Sequence, residues 1–302
     1  MTLEQLRIFV AVAEREHITR AAEALNLTQS AVSSAIAMLE ARHAVALFDR
    51  VGRSIFLNDT GRAFLPEARG VLDRARAAEA ALDDLSALRR GKLSIMASQT
   101  IASYWLPEHL AAYRLAYPQI EIDVRFANTD RVADAVETGQ AELGLGEGIV
   151  DRAVITSQVL ADDEMVVVVA GDYPGDGSEL ANQLAALPWI AREEGSGTRE
   201  AFDTMMAGQG VQVILTLPGN EAVLGAVESG LGATLMSRAV ARARLAAGTL
   251  QIVEGPVFSR SFYLLQHRER YRTKAAGAFI EMVDRAGAGS APGVRPLGPI
   301  NR

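Results

Sequence analysis

The sequence predicts a mixed α/β chain built of two unlike parts. Over about the first 88 residues, apolar side chains recur at the three-and-four spacing of amphipathic helices, interrupted by one short alternating run around Val51-Gly52. From Lys92 onward, β-branched runs alternate with helical stretches, which is the pattern of strand–helix units. The length of 302 residues suits two or three domains, since domains run to about 100–200 residues each.

Leu3, Leu6, Phe9, Val10 and Ala13 place a first helix over 3–14. A second follows at 19–26 with Ala21, Ala22 and Leu25 inward, ending at Asn26. After a three-residue connection, Thr28 is the expected N-cap of a third helix. On that helix Val32, Ala35, Ile36 and Leu39 share one face, while Ser30, Ser33, Ser34 and Ala37 fall on the other. Two short helices joined by a tight turn form a helix-turn-helix, whose second helix enters the major groove with its N-terminal residues against base edges. Small side chains on the outer face allow that close approach. LFDRVGRSIFLN then predicts a hairpin carrying Arg50 and Arg53 near its tip, a wing able to reach phosphates or the minor groove.

From Thr60, Phe64, Leu65, Ala68, Val71, Leu72, Ala75, Ala78, Leu82 and Leu85 step along one face of a long helix to about Leu88, with Pro66 in its second turn. No globular segment adjoins this stripe in sequence, so burial against a second copy of the helix is expected. The alternating region is expected to contain strands at 92–97, 120–126 and 141–148, with helices between, as one parallel α/β unit. A second unit comprises 165–170, 188–192, 211–217 and 231–237 with helices at 197–207 and 220–229; a strand at 261–267 and a helix at 273–286 follow. The Gly- and Pro-rich stretch from about 287 lacks periodicity.

Composition narrows the functional classes. No apolar run approaches the roughly 18 residues of a membrane span, and MTLEQLRIFVAVAERE lacks the basic start and small-residue cleavage site of a signal peptide, so a cytoplasmic protein without a membrane partner is expected. With no cysteine, disulfides and thiolate chemistry are excluded. The net charge of −7 is unevenly spread: residues 1–92 hold 13 Lys+Arg against 12 Asp+Glu, and the remainder 17 against 25. Contact with DNA therefore belongs to the first part. All but two of the basic residues are arginine (Lys92 and Lys274 are the exceptions), the better fork for phosphate and guanine. The four histidines show no metal-ligand spacing, so no metal and no cofactor are expected, and no catalytic triad or paired-carboxylate setting stands out.

FVAVAE, ITRAAEALNLTQSAVSSAIAMLE, LFDR, GRSIFLNDTG and the long helix, in this order and spacing, resemble the LysR-type transcriptional regulators over nearly the whole chain. Two positions depart from the family pattern. His43-Ala44 stands where Leu-Gly is usual, and Ser34 where a basic residue is common. The resemblance implies a winged helix-turn-helix (1–58), a dimerising linker helix (59–90) and an effector-binding region (91–302). It implies that this region is two α/β subdomains like type 2 periplasmic binding proteins, I at about 91–161 and 268–290 and II at about 162–267. The chain would then cross between them near 160 and near 267. It further implies a homodimer or dimer of dimers on double-stranded DNA, with RNA polymerase as a further partner.

Expected DNA contacts are Gln29, Ser30, Ser33 and Ser34 on the third helix, where glutamine can pair two-fold with adenine, and Arg50 and Arg53 on the wing. For the effector, Ser98-Gln99-Thr100 lies between a strand end and a helix start, where free N–H groups and the helix dipole favour an anion. REEGSGTRE offers Ser196 and Thr198 in the equivalent place of the second unit. Two such ends across a cleft would hold a small carboxylate or inorganic oxyanion; ordinary N-capping is the alternative for each. Asn128, Thr129, Gly146 and Asn220 lie at strand ends or loop starts, and Arg192 or Arg199 would add charge unless paired with Glu193, Glu194 or Glu200. A P-loop is excluded, because the Gly-x4-Gly-Lys-Ser/Thr spacing is missing. The rival classes are a bilobal solute-binding protein and an enzyme on the same scaffold.

Overall fold

The computed structural model describes residues 1–51, 54–85, 91–174 and 184–288. Its contacts divide the chain near residue 86 into two compact units.

In the N-terminal unit, α1 (Leu3–Arg15) opens with a capping box: Thr2 Oγ1 accepts from Gln5 N at 3.2 Å, and Gln5 Oε1 accepts from Thr2 N at 3.0 Å. α2 (Ile18–Leu25) ends at Asn26 in the left-handed conformation. α3 (Gln29–His43) is capped by Thr28, which accepts from Ala31 N at 3.2 Å. It buries Val32, Ala35, Ile36 and Leu39, the face the spacing predicts. On the opposite face Ser30, Ser34 and Ala37 are exposed, while Ser33 is half-buried. α3 ends at Ala44 with φ 52°, a position where glycine is the residue free of steric cost.

β1 (Phe48–Val51) and β2 (Ser54–Leu57) pair antiparallel, Phe48 opposite Leu57 and Val51 opposite Ser54. Leu47, Phe48, Ile55 and Leu57 join Leu6, Phe9, Val12, Ile36 and Leu39 in one core. The Phe9 ring lies 5.5 Å from Phe48 and 5.1 Å from Phe64.

α4 (Asp59–Leu85) passes through Pro66 without interruption. Asn58 Oδ1 accepts from Gly61 N at 2.9 Å at its start, and Gly61 packs so closely on the Leu47 carbonyl that a Cβ there would collide with it. The expectation that the apolar stripe meets only a second copy is corrected for its first half. Phe64, Leu65, Ala68 and Leu72 pack on the core of the same unit, because α4 runs back along α1, with Arg69 paired to Glu14 at 2.9 Å. Val71, farther along, is exposed.

The second unit contains β3 (Gly91–Ser98), β4 (Ile120–Ala127), β5 (Leu143–Glu147), β6 (Ile155–Ala170), β7 (Pro188–Arg192), β8 (Gln212–Leu217), β9 (Thr234–Ser237) and β10 (Leu250–His267). Its helices are α5 (Leu106–Ala116), α6 (Thr129–Thr138), α7 (Gly197–Met205), α8 (Asn220–Glu228), α9 (Arg238–Ala246) and α10 (Lys274–Ala288). The sheet order is β4-β3-β5-β10-β6-β9, with β7-β8 a separate parallel pair bridged at Trp189 to Ala233. Parallel pairing holds for β3 with β4 and β5, but β10 runs antiparallel to β5 and β6, and β6 to β9. The sheet is thus mixed rather than parallel throughout.

β6 and β10 pair along their length, from Ile155 opposite His267 to Ala170 opposite Leu250. Their two ends serve two lobes. Phe262 and Leu264 join Leu93, Ile95, Leu143 and Phe279 in the core of lobe I, whereas Met165, Val167, Val253 and Phe258 join Trp189, Phe202 and Leu235 in lobe II. The second passage between lobes therefore falls inside β10, between Phe258 and Phe262, several residues before the expected position near 267. α9 carries little helical signal in its sequence, because three arginines in RAVARARLA dilute its apolar face.

Candidate functional site

The outer face of α3 presents Gln29, Ser30 and Ser34 to solvent with Ser33 at its edge. Ser30 Oγ sits 3.1 Å from the capping Thr28 Oγ1, so the first turn is ordered by its own hydroxyls. Arg50 stands opposite Ile55 in the hairpin register; Arg53 lies outside the described residues.

In the second unit, Gln99 and Thr100 after β3 meet Asn220 at the start of α8, which meets Arg192 at the end of β7, while Asn128 after β4 meets the Glu194 carbonyl ahead of α7. Ser98 and Thr100 are buried, Gln99 half-buried, and a π-helical turn (Ile101–Trp105) follows them, a geometry frequent at functional sites. Ser98 Oγ accepts from Ile101 N at 3.3 Å. Across the cleft, Gly219 has φ 83° and presents the first turn of α8. There Asn220 N donates to Gln99 Oε1 at 2.6 Å, and Asn220 Nδ2 donates to Thr100 Oγ1 at 3.2 Å. Asn220 Oδ1 accepts from Arg192 Nη1, which fixes the orientation of the amide, because arginine can only donate.

Arg192 carries no uncompensated charge. Its Nε and Nη2 donate to Glu193 at 2.7 and 2.9 Å. Burial raises the Glu193 carboxyl, but that guanidinium and backbone N–H groups outweigh it and hold the carboxyl below its usual range. Arg199 pairs with Asp203 at 2.9 Å rather than with a glutamate. Ser196 caps α7, accepting from Thr198 N at 3.3 Å. Thr198 Oγ1 accepts from Arg260 Nη1 at 3.1 Å. At the other edge, Asn128 Nδ2 donates to the Glu194 carbonyl at 3.3 Å and Asp130 N to the Gly195 carbonyl at 3.2 Å. Thr129 Oγ1 accepts from Glu147 N at 3.3 Å. Gly146 lies in β5 with Thr129 Cγ2 only 3.1 Å from where a Cβ would stand; its place supports Thr129.

A consistent pattern emerges. The side chains of Ser98, Gln99, Thr100, Ser196 and Thr198 all accept hydrogen bonds from the protein. Each hydroxyl keeps its O–H, and Gln99 its NH2, for another acceptor. A cavity of about 610 Å³ adjoins Thr129 and Ser196, but Asp130, Asp151, Glu194, Glu200 and Asp203 line it against Arg152 and Arg199. Burial and the neighbouring Asp130 raise the Glu200 carboxyl. Ser196 lines that acidic cavity, which opposes an anion, whereas Gln99 and Thr100 lie with Asn220 outside it.

Two family models match the chain: the bacterial regulatory helix-turn-helix of the lysR family at residues 3–62, and the LysR substrate binding domain at residues 86–288. The chain belongs to the LysR family of transcriptional regulators. This LysR-type regulator is 36% identical over 291 residues to the "Uncharacterized HTH-type transcriptional regulator YeiE" of Escherichia coli K12, covering 95% of this chain and 98% of the relative. It is 32% identical over 290 residues to the RuBisCO operon transcriptional regulator of Allochromatium vinosum, with 94% and 95% coverage. These relatives are regulators, not enzymes. Among solved structures, full-length CbnR with its target DNA superposes with TM-score 0.70 at 20% identity, over 95% of this chain and 100% of that one. The regulatory domain of CcmR from Synechocystis with 2-PG superposes with TM-score 0.61 at 22% identity, over 67% and 99%.

Among the described residues of the LysR-type chain, no group of three His, Asp or Glu is placed to hold a metal, and no helix is long and apolar enough to cross a membrane. Arg260, Asp163, Glu147 and Ser237 form a buried polar cluster behind the cleft that spacing did not single out. Its one sequence signal is charge inside otherwise apolar strands, at Glu147 in LGLGE and Arg260 in FSRSFYLL.

Proposed function

We propose that this regulator reads DNA through Gln29, Ser30, Ser33 and Ser34 at the start of α3, with Arg50 and Arg53 on phosphates, and that a small anion in the interlobe cleft modulates that binding. The cleft donors left over at Ser98, Gln99, Thr100, Ser196 and Thr198 carry the second half of the proposal. An anion offers acceptors only, and the dipoles at the starts of α7 and α8 add to the attraction. Asn128, Gly146 and Asn220 frame the site, and neither Arg192 nor Arg260 contributes free charge. The bound 2-PG in the CcmR structure is a small-molecule precedent on the same fold.

Two chains pair through the second half of the α4 stripe, and dimers associate further. Each dimer lays two α3 helices into successive major-groove half-sites in the cytoplasm, where RNA polymerase is the protein partner. The anion acts by binding two arrangements of the lobes unequally, without which no equilibrium shifts. Fluorescence anisotropy on the DNA upstream of its own gene, at two salt concentrations, tests the first half; sequence-blind binding by wild type would defeat it there. Thermal unfolding with sulfate, small carboxylates and their neutral amides tests the second. Equal stabilisation by amides and carboxylates would remove the anion from the proposal.

A further inference from the structure

The side chain of Arg260 is 7% exposed and reaches four elements of the second unit. Nη2 donates to Glu147 at the end of β5 (3.3 Å), Nε to Asp163 in β6 (2.8 Å) and Nη1 to Thr198 in the first turn of α7 (3.1 Å). Its guanidinium also lies over the Phe262 ring of β10, 5.9 Å from the centroid. The second oxygen of Asp163 accepts from Ser237 Oγ at 2.6 Å, at the end of β9. Arg260 and Asp163 are direct register partners, and both stand where β6 and β10 pass from one lobe to the other.

One cation shared by two buried carboxylates is a poor way to stabilise a core. Removing such charges from water costs more than apolar side chains of the same volume would, and the attraction is recovered only in good geometry. The cluster sits at the passage between lobes, where a small change of angle would break its hydrogen bonds. It also touches the cleft at Thr198, whose oxygen is taken by Arg260, so that the O–H is left for a ligand. α7 is seated tightly on the same place: a Cβ at Gly197 would come within 2.5 Å of the Glu147 Cβ.

We propose that Arg260 is a positioning residue that holds the Thr198 hydroxyl toward the cleft and, through Asp163 and Glu147, sets the angle at which β6 and β10 join the two lobes. The ligand-facing role of Thr198 rests on the anion reading above; the angle-setting role does not need a ligand. Occupancy at Thr198 then reaches the passage strands through one side chain.

The chain has no cysteine, so Ala112→Cys on α5 and Ala207→Cys after α7, both exposed, give a clean pair for spin labels across the lobes. Labelled protein is diluted into unlabelled protein so that only distances within one chain are read. Pulsed electron spin resonance is expected to give one narrow distance for the parent and for Thr198→Ser. Thr198→Val and Arg260→Gln are expected to shift or broaden it, and Arg260→Lys to restore it in part. Parent-like distributions in folded Arg260→Gln and Thr198→Val proteins overturn the proposal. If Arg260→Gln fails to fold, Asp163→Asn, which removes the charge of its partner at nearly the same volume, takes its place in the comparison. Sulfate is then titrated into the labelled parent. Absence of any response would count against the anion reading while leaving the comparison of unliganded variants intact.

Discussion

Asn220 Nδ2 donates to Thr100 Oγ1 at 3.2 Å, joining two buried side chains that stand 120 residues apart and in different lobes. The bond ties the first turn of α8 to the segment after β3. Because Asn220 also accepts from Arg192, it orients the Thr100 hydroxyl and satisfies a buried guanidinium together. Asn220→Ala is expected to destabilise the second unit by about 1–3 kcal/mol, the cost of a buried donor left unmade. Anion-dependent stabilisation should disappear with it. Thermal unfolding with and without sulfate measures both; a retained anion response would dissociate Asn220 from the site.

The left-handed C-cap of α3 is held by alanine, with φ 52° at Ala44. An L-residue there costs roughly 1–2 kcal/mol that glycine does not. Ala44→Gly is expected to raise stability by about 1 kcal/mol, somewhat offset by glycine's larger unfolded-state entropy. The urea midpoint of the N-terminal transition is the readout, and a lower midpoint would contradict the steric account.

DNA variants should separate by kind. Gln29→Ala is expected to lose about 1–3 kcal/mol of discrimination at one base position, with the salt dependence unchanged. Arg50→Ala is expected to weaken binding to every sequence alike and to lower the salt slope by about 1. Binding curves on the operator and on single-base variants at several salt concentrations distinguish the two. An Arg50→Ala loss confined to one sequence would rule out a phosphate role.

Burial raises the Asp163 carboxyl above its ordinary value of 3.8, an effect that Arg260 and Ser237 only partly oppose and Glu147 reinforces. A raised carboxyl favours the folded state while protonated, so its contribution is full below 3.8 and is lost as pH rises through the elevated folded value. Asp163→Asn cannot titrate. The stability of wild type relative to Asp163→Asn is therefore expected to decline as pH rises through that interval; a difference that is flat or rises with pH would exclude it. Denaturant midpoints across the acid range provide the comparison.

Local periodicity was enough to read the inner face of α3: Val32, Ala35, Ile36 and Leu39 are buried as their spacing predicts. The wing hairpin and the positions of Ser98–Thr100 and Ser196–Thr198 at helix starts were equally legible, because strand ends and cap residues are local signals. What the sequence did not show depends on distant pairing. Asp163 and Glu147 lie 97 and 113 residues from Arg260, and nothing in either neighbourhood announces the other. The first half of the α4 stripe read as free because its partner, α1, lies more than forty residues away. The antiparallel course of β10 is hidden for the same reason, since its partner strand β6 lies far off in sequence, with Arg260 facing Asp163 from 97 residues away.

The lobes are not separable modules. β6 and β10 are each one strand that serves both cores, with Met165 and Val253 in one and Phe262 and Leu264 in the other. A single cut anywhere between the lobes would strand half of a hydrogen-bonded ribbon without its sheet. A gene fusion that sought to transplant this region from another regulator would therefore have to exchange the whole of it, from β3 to α10, because neither lobe can be cut out with its strands intact.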